Sequence, residues 1–166
     1  MLLLWTMLMM VQTPQPSAGC DAVADYQLLA AWVGDWSVKN AAGANAGTSR
    51  VERSPDGCGL LEHWEGRNPV GQVVPGTGLH AFDSGSHGWR HLWVDATGFT
   101  AVLTGKVESG RVVYERTSTQ AGGVERRHRM TLAPADGVVV QTGEHSDDGG
   151  KTWGRDFQLT YRKKIA

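Results

Sequence analysis

Residues 89–123 read WRHLWVDATGFTAVLTGKVESGRVVYERTSTQAGG and contain three strand-like runs, each followed by a turn. The runs cover 89–95, 99–107 and 111–117. Glycine-containing turns follow them at 97–98, 109–110 and 121–123. Glycine tolerates the positive φ that tight hairpin turns require, so this stretch predicts an antiparallel meander of β-strands.

The same rhythm of short strands and turns runs through the rest of the chain. The other predicted strands cover 35–39, 48–53, 60–67, 78–82, 125–132, 138–145 and 153–163. A sheet of this kind has two exposed edges unless it closes on itself. We therefore predict an all-β fold, a single antiparallel up-and-down barrel of about eight to ten strands; a β-sandwich is the alternative.

A short helix is predicted just before the first strand, within residues 21–33. Its apolar positions, Tyr26, Leu29, Ala30 and Val33, are spaced as on one face of a helix. Gly34 is expected to end it.

The overall charge argues against two classes of partner. The chain of 166 residues has a net charge of −1, with 40% hydrophobic and 20% charged residues, which is an ordinary globular composition. Nucleic-acid binding needs a basic face that displaces counterions, and a polybasic membrane contact needs clustered Lys and Arg. We expect neither partner.

The N-terminus predicts export. Residues 2–11 form a continuous apolar run that is too short for a membrane-spanning helix, which needs roughly 20 residues, but has the length of a signal-peptide core. Small residues at Ser17 and Gly19 fit cleavage before Cys20. We therefore predict a signal peptide at 1–19, a barrel domain at 20–166, a periplasmic or secreted location, and no membrane span in the mature protein.

The two cysteines, Cys20 and Cys58, allow two interpretations that exclude each other. In an oxidising compartment an even pair predicts a disulfide, which is the interpretation we favour. The segment 17–20 also approximates a bacterial lipobox, in which Cys20 would carry a lipid anchor as a thioether.

Three segments, with residues 57–58 and 61–64, carry a resemblance to a family. They are Trp32-Val33-Gly34-Asp35-Trp36, the segment 82–98 and the segment 146–153. Together they resemble an uncharacterised family of exported bacterial lipocalin-like proteins of unknown function, over roughly residues 25–163. The resemblance implies that Trp36 closes one end of the barrel and that an arginine of the last strand, here Arg162, stacks on it.

Residues 146–153, SDDGGKTW, also match the Asp-box pattern through Ser146, Asp148, Gly150, Thr152 and Trp153. Such boxes form structural hairpin turns. We therefore expect Asp148 and Trp153 to have structural roles.

Alternating strand positions place several polar and aromatic side chains on shared faces. Glu62 shares a face with Leu60 and Trp64, which is unusual for a dry core and fits a partly polar cavity. The residues that we expect to bind a ligand inside the barrel are Glu62, Trp64, Trp89, His91, Trp93 and Arg129.

Three functions are compatible with this pattern. The favoured one is a monomer that binds a small, partly apolar molecule in its lumen. The second is an enzyme of the isomerase or hydrolase type that uses the same lumen, with Glu62 and His91 as acid–base groups. The third is an envelope protein with a fully packed barrel. His87 and His91 stand four apart across a turn-to-strand junction, so we expect no metal and no cofactor.

Overall fold

The computed structural model describes residues 19–68 and 70–164, and the predicted signal peptide therefore lies outside the described residues except for Gly19. A 3₁₀ turn, Cys20–Ala22, and the helix α1, Ala24–Ala30, precede ten strands. The strands are β1 Gly34–Asn40, β2 Asn45–Arg53, β3 Gly59–Arg67, β4 Val73–Asp83, β5 Gly88–Asp95, β6 Thr100–Glu108, β7 Arg111–Thr119, β8 Glu125–Ala135, β9 Val138–Ser146 and β10 Gly154–Lys163.

The ten strands form one closed antiparallel up-and-down barrel. Each strand pairs with its neighbours in sequence, and β1 pairs with β10 to close the ring, with Val38 opposite Tyr161. The predicted barrel is confirmed, and the alternative of a sandwich is wrong because no sheet edge among the described strands is left open.

The helix is shorter than the sequence predicted. α1 has seven residues and ends at Ala30, four residues before Gly34. The amides of Trp32 and Val33 bond three residues back, to Leu29 and Ala30, so the chain tightens into a turn before the strand begins. This turn carries the Trp32 side chain into the barrel, where it is fully buried.

The helix covers the end of the barrel at which β1 begins, and the core there is aromatic. Tyr26 of α1 stacks on Trp89 of β5 with ring centroids 5.8 Å apart, and Phe82 of β4 meets Trp89 edge-on at 5.2 Å. Trp36 is buried and its Nε1 donates a hydrogen bond of 2.8 Å to the Trp32 carbonyl. We call this the closed end.

A disulfide joins Cys20 to Cys58 across 38 residues. It ties the 3₁₀ turn before α1 to the residue before β3, on the closed end. This pairing uses the Cys20 sulfur that a lipid thioether would need.

β4 begins five residues earlier than the sequence predicted, at Val73 rather than at Gly78. The added residues include Pro75, although proline cannot donate a ladder hydrogen bond. In the barrel Pro75 is exposed opposite Glu65, and its carbonyl accepts a bond of 2.9 Å from the Ala96 amide.

The segment 146–153 forms a compact turn between β9 and β10. One oxygen of Asp148 accepts from the amides of Lys151 and Thr152, each at 2.9 Å, and Ser146 Oγ donates to the same oxygen at 2.7 Å. The Thr152 hydroxyl donates to the other oxygen at 2.6 Å, and this bond, followed by those to the first oxygen, holds the pKa of Asp148 far below its ordinary value. Trp153 donates to the Gly150 carbonyl at 3.0 Å.

The predicted stacking of Arg162 on Trp36 is wrong. The register of β1 and β10 places Lys163 opposite Trp36 and Arg162 opposite Ser37, on the outer face. The Lys163 ammonium lies 5.9 Å from the Trp36 ring centroid and takes the position expected of the arginine.

Candidate functional site

A cavity of about 550 Å³ occupies the half of the barrel away from the helix, in the size range typical of small-molecule sites. We call this half the open end. Its walls are mainly apolar and aromatic, and polar side chains stand at its floor and mouth. Trp64, Trp93, Phe99, Leu103, Met130, Phe157 and Leu159 are the large apolar lining residues.

Three of the aromatic walls pack closely against glycines. A Cβ added to Gly66, Gly76 or Gly143 would overlap the ring of Trp64, Trp93 or Phe157, respectively. These glycines allow large rings to lie along the barrel wall instead of projecting across the lumen. The space at the centre of the cavity depends on them.

Glu62 of β3 forms the floor of the cavity and is 2% exposed. Ser49 Oγ donates to its Oε1 at 2.8 Å, and the Tyr161 hydroxyl, which donates to Gln141 Oε1 at 2.7 Å, lies 3.5 Å from the same oxygen. Oε2 has no hydrogen-bond partner among residues 19–68 and 70–164. Burial raises the pKa of Glu62 to about 7, so both the protonated and the ionised carboxyl are accessible near neutral pH.

Two histidines stack beside the floor. His80 and His91 have ring centroids 4.1 Å apart, and His80 Nδ1 is 2.9 Å from the Tyr114 hydroxyl. Burial lowers the pKa of His91 to about 4 and that of His80 well below its ordinary value, so both rings are neutral at neutral pH. His80 Nε2 and His91 Nδ1 are buried with no partner in the described part of the chain.

Glu62 and His91 approach each other across Gly78 of β4. A Cβ on Gly78 would lie 3.2 Å from His91 Cε1 and 3.4 Å from Glu62 Oε2. The missing side chain therefore leaves a carboxyl and an imidazole bordering the same small space. The sequence pattern alone did not bring these two groups together.

The mouth of the cavity carries a second polar group. Arg116 of β7 lies opposite His128 of β8, and both line the cavity. The Arg116 guanidinium carbon is 5.9 Å from the Phe99 ring centroid, and Ser118 Oγ lies 2.8 Å from His128 Nε2. Burial, with the Arg116 charge as the next cause, lowers the pKa of His128.

Five of the six residues expected in the lumen line the cavity. Four of them do so from the inward faces of β3 and β5: Glu62, Trp64, His91 and Trp93. Trp89 lies on that face of β5 as expected, but it is not a cavity wall. It is 1% exposed and stacks under Tyr26, because the helix covers its end of the strand.

Arg129 borders the cavity, but the interpretation of its side chain as a lumen anchor is wrong. Met130 and Leu132 are the buried residues of β8, so alternation directs Arg129 to the other face. There its guanidinium pairs with Glu144 at 2.9 Å and lies 4.0 Å from the Trp153 ring centroid.

The sequence analysis missed Arg116, His128, Gln141 and Tyr161 as site residues. A signal was present for Arg116, because Val112, Tyr114 and Arg116 alternate along β7. Arg111, Val113 and Glu115 alternate in the same way on the opposite face, so alternation alone did not identify the inward one. Val112, Val113 and Tyr114 are all buried, so the burial pattern of β7 is irregular where the face had to be chosen.

Within residues 19–68 and 70–164, no group of three or more His, Cys, Asp or Glu is arranged to hold a metal ion. Among the same residues, no helix has the length and apolar composition needed to cross a membrane. Comparison of the chain with protein-family models and with curated proteins finds no match.

Proposed function

We propose that this protein binds a small, partly apolar molecule in the open end of its barrel. The observation that carries the proposal is the cavity of about 550 Å³, with aromatic walls and a few polar groups at its floor and mouth. Pockets of this make-up are typical of small-molecule sites. A barrel packed solid along its length, the third function considered above, does not fit a cavity of this size.

The floor gives the ligand one expected point of polar contact. Glu62 Oε2 has no protein partner in the described chain, and a pKa of about 7 allows the carboxyl to be protonated or ionised near neutral pH. It therefore donates to, or accepts from, a polar atom at the buried end of the ligand. The flat faces of Trp64 and Trp93 favour rings or extended apolar groups.

Export of the protein belongs to the same proposal. The apolar run at 2–11, the small residues before Cys20 and the Cys20–Cys58 disulfide support it together. Disulfides persist mainly in oxidising compartments. The mass of the protein purified from the envelope fraction of its source tests this part, since a chain beginning at Cys20 with two hydrogens fewer than the dithiol form is expected.

The test of binding uses a neutral fluorescent probe, N-phenyl-1-naphthylamine. Its emission should rise on addition to the protein. The variant Ala101→Phe adds a ring at the cavity wall and should lose binding by at least about ten-fold. Val102→Phe places the same ring on the outer face of β6, where Val102 is 64% exposed, and serves as the matched control.

Equal binding by the two variants, with both folded by circular dichroism, would place the probe outside the lumen and contradict the proposal. Absence of binding by the unaltered protein would also contradict it.

A second candidate, proton-transfer catalysis, is favoured by one observation. Glu62, with its pKa of about 7, and the neutral His91 border the same space above Gly78. A carboxylate in an apolar pocket is an effective general base. The probe reaction is the elimination of 5-nitrobenzisoxazole, in which the base removes the C3 proton while the N–O bond breaks to give the nitrile phenolate.

Catalysis by Glu62 predicts a rate that rises with pH through about 7 and disappears in Glu62→Gln. Ser49→Ala, which keeps the carboxyl, should retain the activity. A rate that equals the background at every pH would leave binding as the function.

A further inference from the structure

The arginine at the mouth of the cavity has no anionic partner. Among the described residues, Arg116 makes neither an ion pair nor a hydrogen bond, although it is half-buried and lines the cavity. The three arginines of the neighbouring strand β8 are all paired. These pairs are Arg126–Asp147, Arg127–Glu115 and Arg129–Glu144.

The acidic residues around the mouth do not neutralise Arg116. Glu144 and Asp156 also border the cavity, but both have other partners. Arg129 pairs with Glu144 at 2.9 Å, and His145 pairs with Asp156 at 2.5 Å. A guanidinium withdrawn from water without a partner is unfavourable, and here burial lowers the pKa of Arg116. The charge is therefore positioned for a group that the protein itself does not supply.

The shape of the site limits what that group can be. A guanidinium is a planar fork that matches a carboxylate through two parallel hydrogen bonds. A single unpaired cation with Glu144 and Asp156 nearby favours a monoanion over a dianion such as a phosphate monoester. Between Arg116 at the mouth and Glu62 at the floor, the cavity is lined by Trp93, Leu103 and other apolar residues.

We propose that the ligand is an amphipathic carboxylic acid, whose carboxylate binds Arg116 at the mouth while its apolar body fills the cavity toward Glu62. This inference rests on the proposed binding function. It adds the charge of the ligand and its orientation in the barrel.

The experiment compares two probes of nearly the same shape, 1-pyrenebutyric acid and its primary amide, with the full mature chain. We expect the unaltered protein to bind the acid at least about ten-fold more tightly than the amide, as charge-assisted hydrogen bonds are stronger than neutral ones. Arg116→Gln should remove this difference and leave the affinity for the amide unchanged. Arg116→Lys should retain part of it, since the charge remains and the fork is lost.

The matched control is Arg90→Gln. Arg90 lies on the outer face of β5, is exposed and does not line the cavity, so this variant removes the same formal charge elsewhere. It should preserve the preference for the acid.

His128 supplies a readout that does not depend on affinity. The charged or titratable groups that act on it are Arg116 on β7, Arg126 on its own strand, His145 on β9 and Asp156 on β10. Acid bound at Arg116 should raise the His128 pKa in an NMR titration, and bound amide should not.

Equal affinity for acid and amide in the unaltered protein would overturn this inference and leave the binding function standing, as would an Arg116→Gln variant that weakens both probes alike. If neither probe binds, the inference fails together with the proposed function.

Discussion

The two ends of the barrel are built from the same strands with the same alternation, yet one is a solid core and the other a cavity. β5 shows the difference within one strand, because Trp89 and Trp93 point to the same side. Trp89 is 1% exposed beneath Tyr26, whereas Trp93 is half-buried against Gly76. Alternation along a strand therefore determines which residues face inward. The helix at one end determines which of those inward residues are packed into a core.

The largest effect expected from this comparison is on stability. Trp89→Ala should lower the free energy of unfolding by about 4 kcal/mol, because it leaves a large cavity in the closed end. Trp93→Ala removes the same side chain where a cavity already exists and should cost about 1 kcal/mol. Urea denaturation of both variants measures the two values.

Equal losses of stability in these two variants would show that the open end is packed as firmly as the closed end. In that case the distinction between core and cavity would have no energetic basis.

Loss of the Cys20–Cys58 disulfide should have the next largest effect, about 3 kcal/mol. The bond closes a loop with a sequence separation of 38 residues and so restricts the unfolded chain. The double variant Cys20→Ser/Cys58→Ser should keep the barrel, since the ladder between β1 and β10 does not depend on it. Thermal unfolding with and without reductant measures the loss, and reductant should not affect the double variant.

Glu62 lies between the two ends and makes stability depend on pH. Its pKa is raised from 4.5 to about 7 in the folded state, so the unfolded chain releases the proton first as pH rises. The stabilising contribution of the Glu62 carboxyl is therefore lost between pH 4.5 and about 7, by about 3 kcal/mol in total. Because His91 titrates in the same range with the opposite sign, this loss is measured as the difference in the free energy of unfolding between the unaltered protein and Glu62→Gln. Urea titrations at pH 5 and pH 8 should show that difference shifting in favour of the variant as pH rises.

His91 should act in the opposite direction, because its pKa is lowered to about 4. Its contribution is complete above pH 6.5 and is lost as pH falls toward 4. A Glu62→Gln variant that still loses stability between pH 5 and pH 8 would contradict the assignment of the high-pH loss to the carboxyl.

The smallest effect is expected at the outer rim of the closed end. Lys163→Ala should cost about 0.5 kcal/mol through its contact with the Trp36 ring, and Arg162→Ala should cost less, because Arg162 faces solvent beside Ser37. The difference in melting temperature between the two variants measures how much more Lys163 contributes than Arg162. A larger loss for Arg162→Ala would restore the stacking role that the family resemblance implied.

Most of the fold could be predicted from the sequence because turn chemistry and alternation are local. Glycine turns at 97–98, 109–110 and 121–123 mark hairpins without reference to the rest of the chain. The first five residues of β4 were not predicted. They include Pro75, and proline is tolerated in a strand only where its missing donor is not needed in the ladder, which only the pairing shows.

The site was harder to predict from the sequence. Strand register and the position of the helix that covers one end depend on residues far apart in the chain. Whether Trp89 lines a cavity depends on where α1 packs, and whether Lys163 or Arg162 meets Trp36 depends on the register between the first and last strands. Arg129 was misassigned because the inward phase of β8 is set by pairing with its neighbours, and one strand alone does not reveal it.

Closure of the barrel also determines the order in which the chain can fold. Nine of the ten strand pairings join neighbours in sequence, whereas Ser37 and Arg162, paired between β1 and β10, stand 125 residues apart. Hairpins form early because their loops are short, but closure has to wait for the last strand to be synthesised. Until then β1 and β9 expose unpaired backbone, so the nascent protein passes through a stage that is prone to aggregation.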